Sequence, residues 1–562
     1  MKNNYVHTFG GIIGLTENSN LNFLNRQKVL VNKPDFKLFL PLEVPEYYYQ
    51  FNSESFLWKG GSKIISKTQK FDYLTEDSKF VYITFGAEGC SVISDHYSKI
   101  PLLYIQKEDT IYFATSLTYL LQISNSKALD INYDGLSVYY HFGVNSFEQG
   151  LIENLKILSG GSQLTYSNKS ISISKYFDIT TFKTNWNNTS SIIENTTAID
   201  DVLLRSTAKT VNNYDKIGIA VSGGVDSGYL AQKLNQSNRE FNAYTIGYVD
   251  GYNEFERIDY LADILNFKAE KIILSAKDII DNYLKVSAYS SFPLGYNNSI
   301  MNFIYKKAAS DGVEVLFDGD GADRLFLGMN KFIQLKKFLK FYDRSKSLKL
   351  NYLVPTLLKL VKHESGKKLQ FYFRKLNHGM QFYGERILLD KITFDLEFEE
   401  ALNDLMLPNE LKRLDKNIDK WLFFSLFSIY YTPTFFFHTP YELQLKHGLV
   451  SNPEFWSDEM VKLSLSIPTE QKLYQKTTKK VLREAAKIKI DNGYWSLKKI
   501  GLQNSYKYIK TKDFGKDFIN SYVDLIKQTD EYLYLLENNI DGSIEPERLI
   551  PYYIWKKNMF ES

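Results

Sequence analysis

Ile217-Gly218-Ile219-Ala220-Val221-Ser222-Gly223-Gly224-Val225-Asp226-Ser227 is the stretch on which the reading of this chain turns. Its apolar and small residues, Ile217–Val221, predict a buried strand, and the pattern over Gly228–Leu234 predicts a helix. Between them, two adjacent glycines let the backbone turn so tightly that several amide N–H groups face one anion. The positive end of the following helix and the hydroxyls of Ser222 and Ser227 add to that attraction. No lysine precedes the last serine, so this is not the Gly-x-x-x-x-Gly-Lys-Ser/Thr loop of phosphoryl-transfer enzymes. Asp226 belongs in such a loop when a cation bridges it to phosphate oxygens, the usual arrangement for Mg²⁺. A glycine turn that does no more than join strand to helix is the plainer alternative.

Outward from this turn, a helix is expected over Ile199–Val211, a strand over Ala243–Tyr248, a helix over Phe255–Leu265 and a strand over Ile272–Leu274. Strands alternating with helices imply an α/β doubly wound parallel sheet. Further on, Val315-Leu316-Phe317 runs into Asp318-Gly319-Asp320-Gly321-Ala322-Asp323. That acidic, glycine-rich segment would reach the carboxyl edge of the same sheet, where doubly wound folds bind ligands, and Asp323 would add a second carboxylate to the Mg²⁺ shell. Alone, it reads equally well as an ordinary acidic turn. Beyond Phe326 the pattern is mostly helical.

Before the turn, short runs such as Phe80–Thr84, Leu102–Ile105, Ile111–Ala114 and Gln163–Tyr166, with a helical patch at Ser116–Gln122, predict an α+β sandwich. The polar run Ile179–Thr197 has no period and reads as a linker. The expected organisation is therefore a sandwich over 1–180, a linker over 181–197 and a second domain with a helical carboxyl-terminal part over 198–562.

Composition excludes several classes. At 562 residues, with 44% hydrophobic and 24% charged residues, the chain has the usage of a globular protein of more than one domain. Sixty-eight basic against sixty-five acidic residues leave a charge of +3, too balanced for a dedicated nucleic-acid binder. The single cysteine, Cys90, forbids an intramolecular disulfide, a zinc finger or an iron–sulfur cluster. Trp421–Phe437 is the longest charge-free aromatic stretch, but it is short for a membrane span and Pro433 interrupts it, so a buried helix followed by a turn is expected. The opening Met1-Lys2-Asn3-Asn4-Tyr5 lacks the basic-then-apolar pattern of a signal peptide, and a cytoplasmic location is the expectation.

The hexapeptide Ser222–Ser227 and the acidic segment together resemble the asparagine synthetase superfamily of ATP pyrophosphatases, which carry SGGxDS and then G-[DE]-G-[AS]-D-E. Further strings follow in the family's order. Ser94–Tyr104 is similar to R-D-x-x-G-x-x-P-L-Y-Y, Tyr112–Ser116 to F-A-S-E and Leu155–Gly161 to L-x-P-G; Lys480–Ala485 is similar to K-x-L-R-x-A and Lys499–Leu502 to K-x-G-F. The resemblance implies ATP and Mg²⁺: the loop of Ser222, Gly223, Gly224, Asp226 and Ser227 on the pyrophosphate, Asp226 and Asp323 on the metal, and Ala220, Ile246, Asp318 and Gly319 around the adenosine. It also implies that Asp320 takes the amine's proton and that Lys499 is the essential cation, with Lys498 the competing register. Arg483 would be structural or close to phosphate.

The departures from the family are specific. Glutamine-dependent members begin Met-Cys-Gly-Ile, whereas the matching segment here is Gly10-Gly11-Ile12-Ile13-Gly14, with Gly10 at the cysteine's place. Without that thiol no covalent attack on glutamine is expected, so the first domain is read as an inactive sandwich of the Ntn-amidohydrolase type. Arg324 replaces the family's glutamate, and the region before the family's E-x-R-x-P-F-L-D motif, here Tyr431–Gln444, is strongly altered, which argues against aspartate as the substrate. Adenylation without glutaminase resembles lasso-peptide cyclases and β-lactam synthetases. That resemblance implies a small-molecule or peptide carboxylate attacked by an amine of the same molecule, and, in the lasso case, a precursor peptide and a partner protease. Amidation of an amino acid or sugar acid by free ammonia or another amine, and a non-catalytic scaffold, are the alternatives.

Overall fold

In the computed structural model, residues 8–13, 27–33, 36–41, 49–59, 71–86, 89–126, 130–143, 145–147, 150–168, 170–185, 190–250, 253–358, 364–377, 405, 407–414, 418–487, 490, 493–494, 504–537 and 546–560 are described. The first domain consists of two six-stranded antiparallel sheets. One has the order β10 (Leu155–Ile157), β8 (Leu103–Lys107), β9 (Thr110–Ala114), β1 (Gly10–Ile13), β3 (Phe36–Pro41), β2 (Gln27–Lys33). The other runs β12 (Ser170–Lys175), β11 (Ser162–Ser167), β7 (Gly89–Ser94), β6 (Val81–Phe85), β5 (Ser55–Trp58), β4 (Tyr49–Phe51). Alternate residues such as Ile13, Leu38, Phe56, Ile83, Val92 and Phe113 meet in one buried core between the sheets, which also holds Cys90. The opposite face of the first sheet is covered by the helices Leu117–Ile123 and Tyr133–Phe142, whose apolar residues share a core with the second domain.

The second domain is built on a five-stranded parallel sheet with the order β15 (Ala269–Leu274), β14 (Phe241–Tyr248), β13 (Ile217–Ala220), β16 (Val315–Phe317), β17 (Val450–Asn452). The chain first moves outward from β13 to β14 and β15, then returns to the other side of β13 with β16. Such a reversal opens a crevice at the carboxyl ends of the two central strands, here β13 and β16.

The expected strands and the helix Phe255–Leu265 are present, with ends moved by a residue or two in most cases. Two helices start earlier than expected. Ser191 forms a capping box with Glu194, so the helix runs Ile192–Val211 and takes the last residues read as linker. The helix after the glycine turn runs Val225–Gln236, because Gly224 is itself the N-cap and its carbonyl accepts from Gly228 N–H at 3.1 Å. The aromatic stretch gives a third correction. The helix Lys420–Thr432 does not end in a turn but passes through one π-helical turn, Pro433–Phe437, into the helix His438–Lys446. Pro433 has no N–H to offer, and the hydroxyls of Thr432 and Thr434 bond back to the carbonyls of Ser428 and Tyr431 at 2.6 and 2.9 Å. Among the described residues no helix is long and apolar enough to cross a membrane.

The two domains interlock. Tyr441 and Leu445, from the helix after the π turn, complete the core between the sandwich sheets, and the Trp58 indole donates to the Tyr441 hydroxyl at 2.8 Å. Glu442 accepts from the Ser291 hydroxyl at 2.9 Å, while Ser291 Oγ accepts from Leu117 N–H at 2.6 Å.

Candidate active site

The turn after β13 is held from behind. Gly223 has φ +66°, a left-handed conformation, and a side chain there would meet Glu254 Oε2 at 2.7 Å. Its carbonyl accepts from Arg257 Nε at 2.9 Å and from the Tyr494 hydroxyl at 2.7 Å, while the Arg257 guanidinium lies 4.3 Å from the centre of the Tyr494 ring. Two donors pulling this carbonyl backward fix the peptide and leave the loop's front to its N–H groups. Ser222 and Ser227 close the loop: Ser222 N–H donates to Ser227 Oγ at 3.1 Å, and the two hydroxyls lie 3.2 Å apart.

The acidic segment leaves the neighbouring strand β16 and packs directly on this turn. A Cβ at Gly319 would sit 2.8 Å from Asp226 Cβ and 3.1 Å from Ser227 N, so only glycine allows the approach. Asp318 is buried; its carboxylate accepts from Ser451 Oγ at 2.8 Å and from Asp320 N–H at 3.1 Å. Burial raises the Asp318 pKa against those hydrogen bonds. Asp320 is pushed well above the ordinary carboxylate range, first by burial and then by Asp318, Asp323 and Asp226. A carboxylate so raised is a stronger base than an ordinary one.

Asp226 and Asp323, ninety-seven positions apart, meet on one cation. The Lys479 ammonium contacts Asp226 and lies 2.6 Å from Asp323. Lys479 has φ +51° at the start of the helix Lys480–Ala486, and its side chain is almost wholly buried. Burial works against its charge, but the two carboxylates outweigh it and raise its pKa. The Arg483 guanidinium donates to the Thr478 carbonyl at 2.9 Å and feels the field of Asp226. Among the described residues no group of three or more His, Cys, Asp or Glu side chains forms a metal cage. The smaller set fits Mg²⁺ nonetheless, since Asp226 and Asp323 are hard oxygen donors that already converge on a cation.

The sequence-predicted residues thus fall as follows. Ser222, Gly223, Gly224, Asp226, Ser227, Asp318, Gly319, Asp320 and Asp323 gather at the carboxyl ends of β13 and β16. Ala220 ends β13 opposite Tyr244; Ile246, two residues on in β14, shares its face of the sheet. Lys498 and Lys499 lie outside the described residues. Lys479 was missed by sequence reading: the match to K-x-L-R-x-A points to Lys480, which instead pairs with Glu484 at 3.1 Å. The adjacent Lys479-Lys480 pair was the available signal, with the same register ambiguity as Lys498-Lys499. Arg257 and Tyr494 carry no motif and were not foreseen. Arg324 is buried with its guanidinium 5.5 Å from the Phe436 ring of the π turn.

A parallel sheet with a glycine turn and converging carboxylates at its switch point defines a doubly wound α/β domain, a fold that binds ligands at that edge. Residues 198–535 match the asparagine synthase family, and the chain belongs to that family. It is 23% identical over 262 residues to glutamine-hydrolyzing asparagine synthetase 1 of Bacillus subtilis (strain 168), covering 46% of this chain and 40% of that one. It is 27% identical over 270 residues, 46% of each chain, to a Methanocaldococcus jannaschii protein provisionally described as a glutamine-hydrolyzing asparagine synthetase. The chain therefore spans less than half the length of the curated relatives it matches. Among solved structures, the allosteric regulatory enzyme of purine biosynthesis covers 48% of this chain and 75% of its own, at 7% identity and a TM-score of 0.18. The glutamine phosphoribosylpyrophosphate amidotransferase of B. subtilis with ADP and GMP gives 48%, 76%, 8% and 0.18. Superpositions this loose carry no argument about the chain.

Proposed function

We propose that the chain is an ATP-dependent carbon–nitrogen ligase that adenylates a substrate carboxylate and passes the acyl group to an amine of the same molecule, without hydrolysing glutamine. The observation that carries this reading is the meeting of Asp226 and Asp323 on one cation beside the Ser222–Ser227 turn. The turn's N–H groups and hydroxyls bind the β- and γ-phosphates of ATP. Asp226 and Asp323 would hold Mg²⁺, which when bound would neutralise phosphate charge, and Lys479 lies beside them as a second positive charge. The substrate carboxylate oxygen attacks the α-phosphorus and pyrophosphate leaves. The amine attacks the acyl carbon, its proton passes to Asp320, and the acyl–oxygen bond breaks to release AMP. Lys479 and Lys499 supply positive charge to the oxyanion and the leaving phosphate.

Absence of glutaminase activity is supported by the space around Gly10. A Cβ there would lie 2.7 Å from the Phe113 carbonyl oxygen and 3.0 Å from both Ala114 Cβ and a Tyr119 ring carbon. The strand is paired on both sides at that residue, so no nucleophilic side chain fits where the family's cysteine would stand. The altered segment Tyr431–Gln444, which contains the π turn, and Arg324 packed on Phe436 in place of an acid argue against aspartate as the substrate.

Pyrophosphate release with Mg-ATP tests the proposal, with candidate small-molecule and peptide carboxylates offered in turn and Asp226→Asn as the control. Release stimulated by a substrate that carries its own amine, and lost in the variant, is expected. Release that requires ammonium salts would favour the intermolecular alternative, glutamate formation from glutamine would overturn the reading of Gly10, and failure to bind Mg-ATP would leave a scaffold.

A further inference from the structure

We propose that Lys79, a residue of the amino-terminal sandwich, is a positioning residue for the acidic segment of the nucleotide site. Lys79 stands just before β6 and is 6% exposed, and its ammonium donates to the Ser451 carbonyl at 3.0 Å, across 372 residues of sequence. Ser451 is the central residue of β17, the sheet neighbour of β16. Its hydroxyl donates to Asp318 at 2.8 Å, and Asp318 in turn holds Asp320 N–H at 3.1 Å. One short relay thus runs from the sandwich to the backbone N–H of Asp320, the residue assigned to the amine's proton.

The relay starts on a rigid anchor. Asp95 N–H donates to the Phe80 carbonyl at 3.1 Å, and the Asp95 carboxylate accepts from the N–H groups of Tyr97 and Lys99 at 3.0 Å. A neutral donor could cap the Ser451 carbonyl equally well, so the hydrogen bond does not by itself require a lysine. The charge does. Lys79 lowers the Asp318 pKa against burial. In the other direction, burial and Lys99 lower the Lys79 pKa to about 8, while Asp95 and Asp318 raise it. Asp318 faces Asp320, whose own neighbours are Asp323 and Asp226; those two share Lys479. The sandwich therefore supplies a second buried cation to a cluster of four aspartates, and a domain with no room for its amidase nucleophile has a reason to stay attached.

The inference rests on the ligase reading only in its activity arm. Thermal unfolding of full-length wild type, Lys79→Met, Asp318→Asn and the double variant measures the coupling without turnover. The Tm loss caused by Lys79→Met should fall by at least half in the Asp318→Asn background, because the partner left unpaired in the single variant is then uncharged. In the pyrophosphate assay, removing the cation makes the ionised forms of Asp318 and of its neighbour Asp320 costlier, so the acid limb of the Lys79→Met pH–rate profile should move to higher pH. Ser451→Ala, a milder change, should move it the same way by less. Additive Tm losses, or a profile lowered uniformly with its acid limb in place, would overturn the assignment. Wild-type protein that releases no pyrophosphate under any condition would overturn the ligase reading instead, and the unfolding cycle would then decide the role of Lys79.

Discussion

At the scale of single residues, Lys479 sets the electrostatics of the site. Without nucleotide it separates Asp226 from Asp323, and its removal leaves two carboxylates facing one another with no cation between them. Lys479→Met is expected to lower pyrophosphate release by 100-fold or more in a steady-state assay and to weaken binding of Mg-ATP. Its far-ultraviolet circular dichroism should match wild type, because methionine keeps the length and packing of the buried side chain. Unchanged turnover would remove Lys479 from the site. The Ser222–Ser227 turn was legible because its chemistry is local: glycines, hydroxyls and an acid within six residues, directly after an apolar strand. Lys479 and Lys79 were not, since each acts on a partner hundreds of residues away and neither sits in a pattern that separates it from a surface lysine.

At the scale of elements, three glycines decide whether the loops can come together. Gly223 turns the Ser222–Ser227 loop, Gly319 lets the acidic segment touch it, and Gly321, with φ +93°, passes against Trp456 so closely that a Cβ would lie 1.7 Å from the indole nitrogen. Gly321→Ala should therefore cost about 2–3 kcal/mol, read as a lowered Tm, and a variant with wild-type Tm would contradict this placement. Gly223→Ala should cost less stability but at least 10-fold in affinity for Mg-ATP, measured by calorimetry, because the Gly223 peptide would be displaced from Arg257 and Tyr494. Strands and long helices of the second domain could be read from periodicity. The π turn could not: a proline after an aromatic helix signals a stop, and only the hydroxyls of Thr432 and Thr434, with packing on both sides, carry the chain through.

At the scale of the whole molecule, the sandwich and the parallel-sheet domain share their joint. Glu442 is half-buried in it and its pKa is raised to about 7 from an ordinary 4.5, because desolvation outweighs the hydrogen bonds from Ser116 and Ser291. Between those two values the folded protein holds a proton that the unfolded chain has lost, so this group makes stability fall as the pH rises from about 4.5 to about 7. Glu442→Gln should flatten that fall by about 2 kcal/mol, seen as a Tm difference between wild type and variant that changes across the window and is constant above it. A difference independent of pH would place the carboxyl in water. None of this joint was legible in the sequence, where Trp58 and Tyr441, or Ser291 and Glu442, are distant residues without a shared motif. The broad division into sandwich and parallel sheet was legible, because strand spacing differs so clearly on the two sides of residue 190.

The nucleotide site itself can be tested before any substrate is known. Calorimetric titration of a non-hydrolysable ATP analogue into wild type, Asp226→Asn and Asp323→Asn, with and without Mg²⁺, reads it directly. Wild type should bind in the presence of Mg²⁺, and each variant should lose at least 10-fold in affinity with Mg²⁺ present and little without it. Equal, Mg²⁺-dependent binding by all three proteins would contradict the assignment of these two carboxylates.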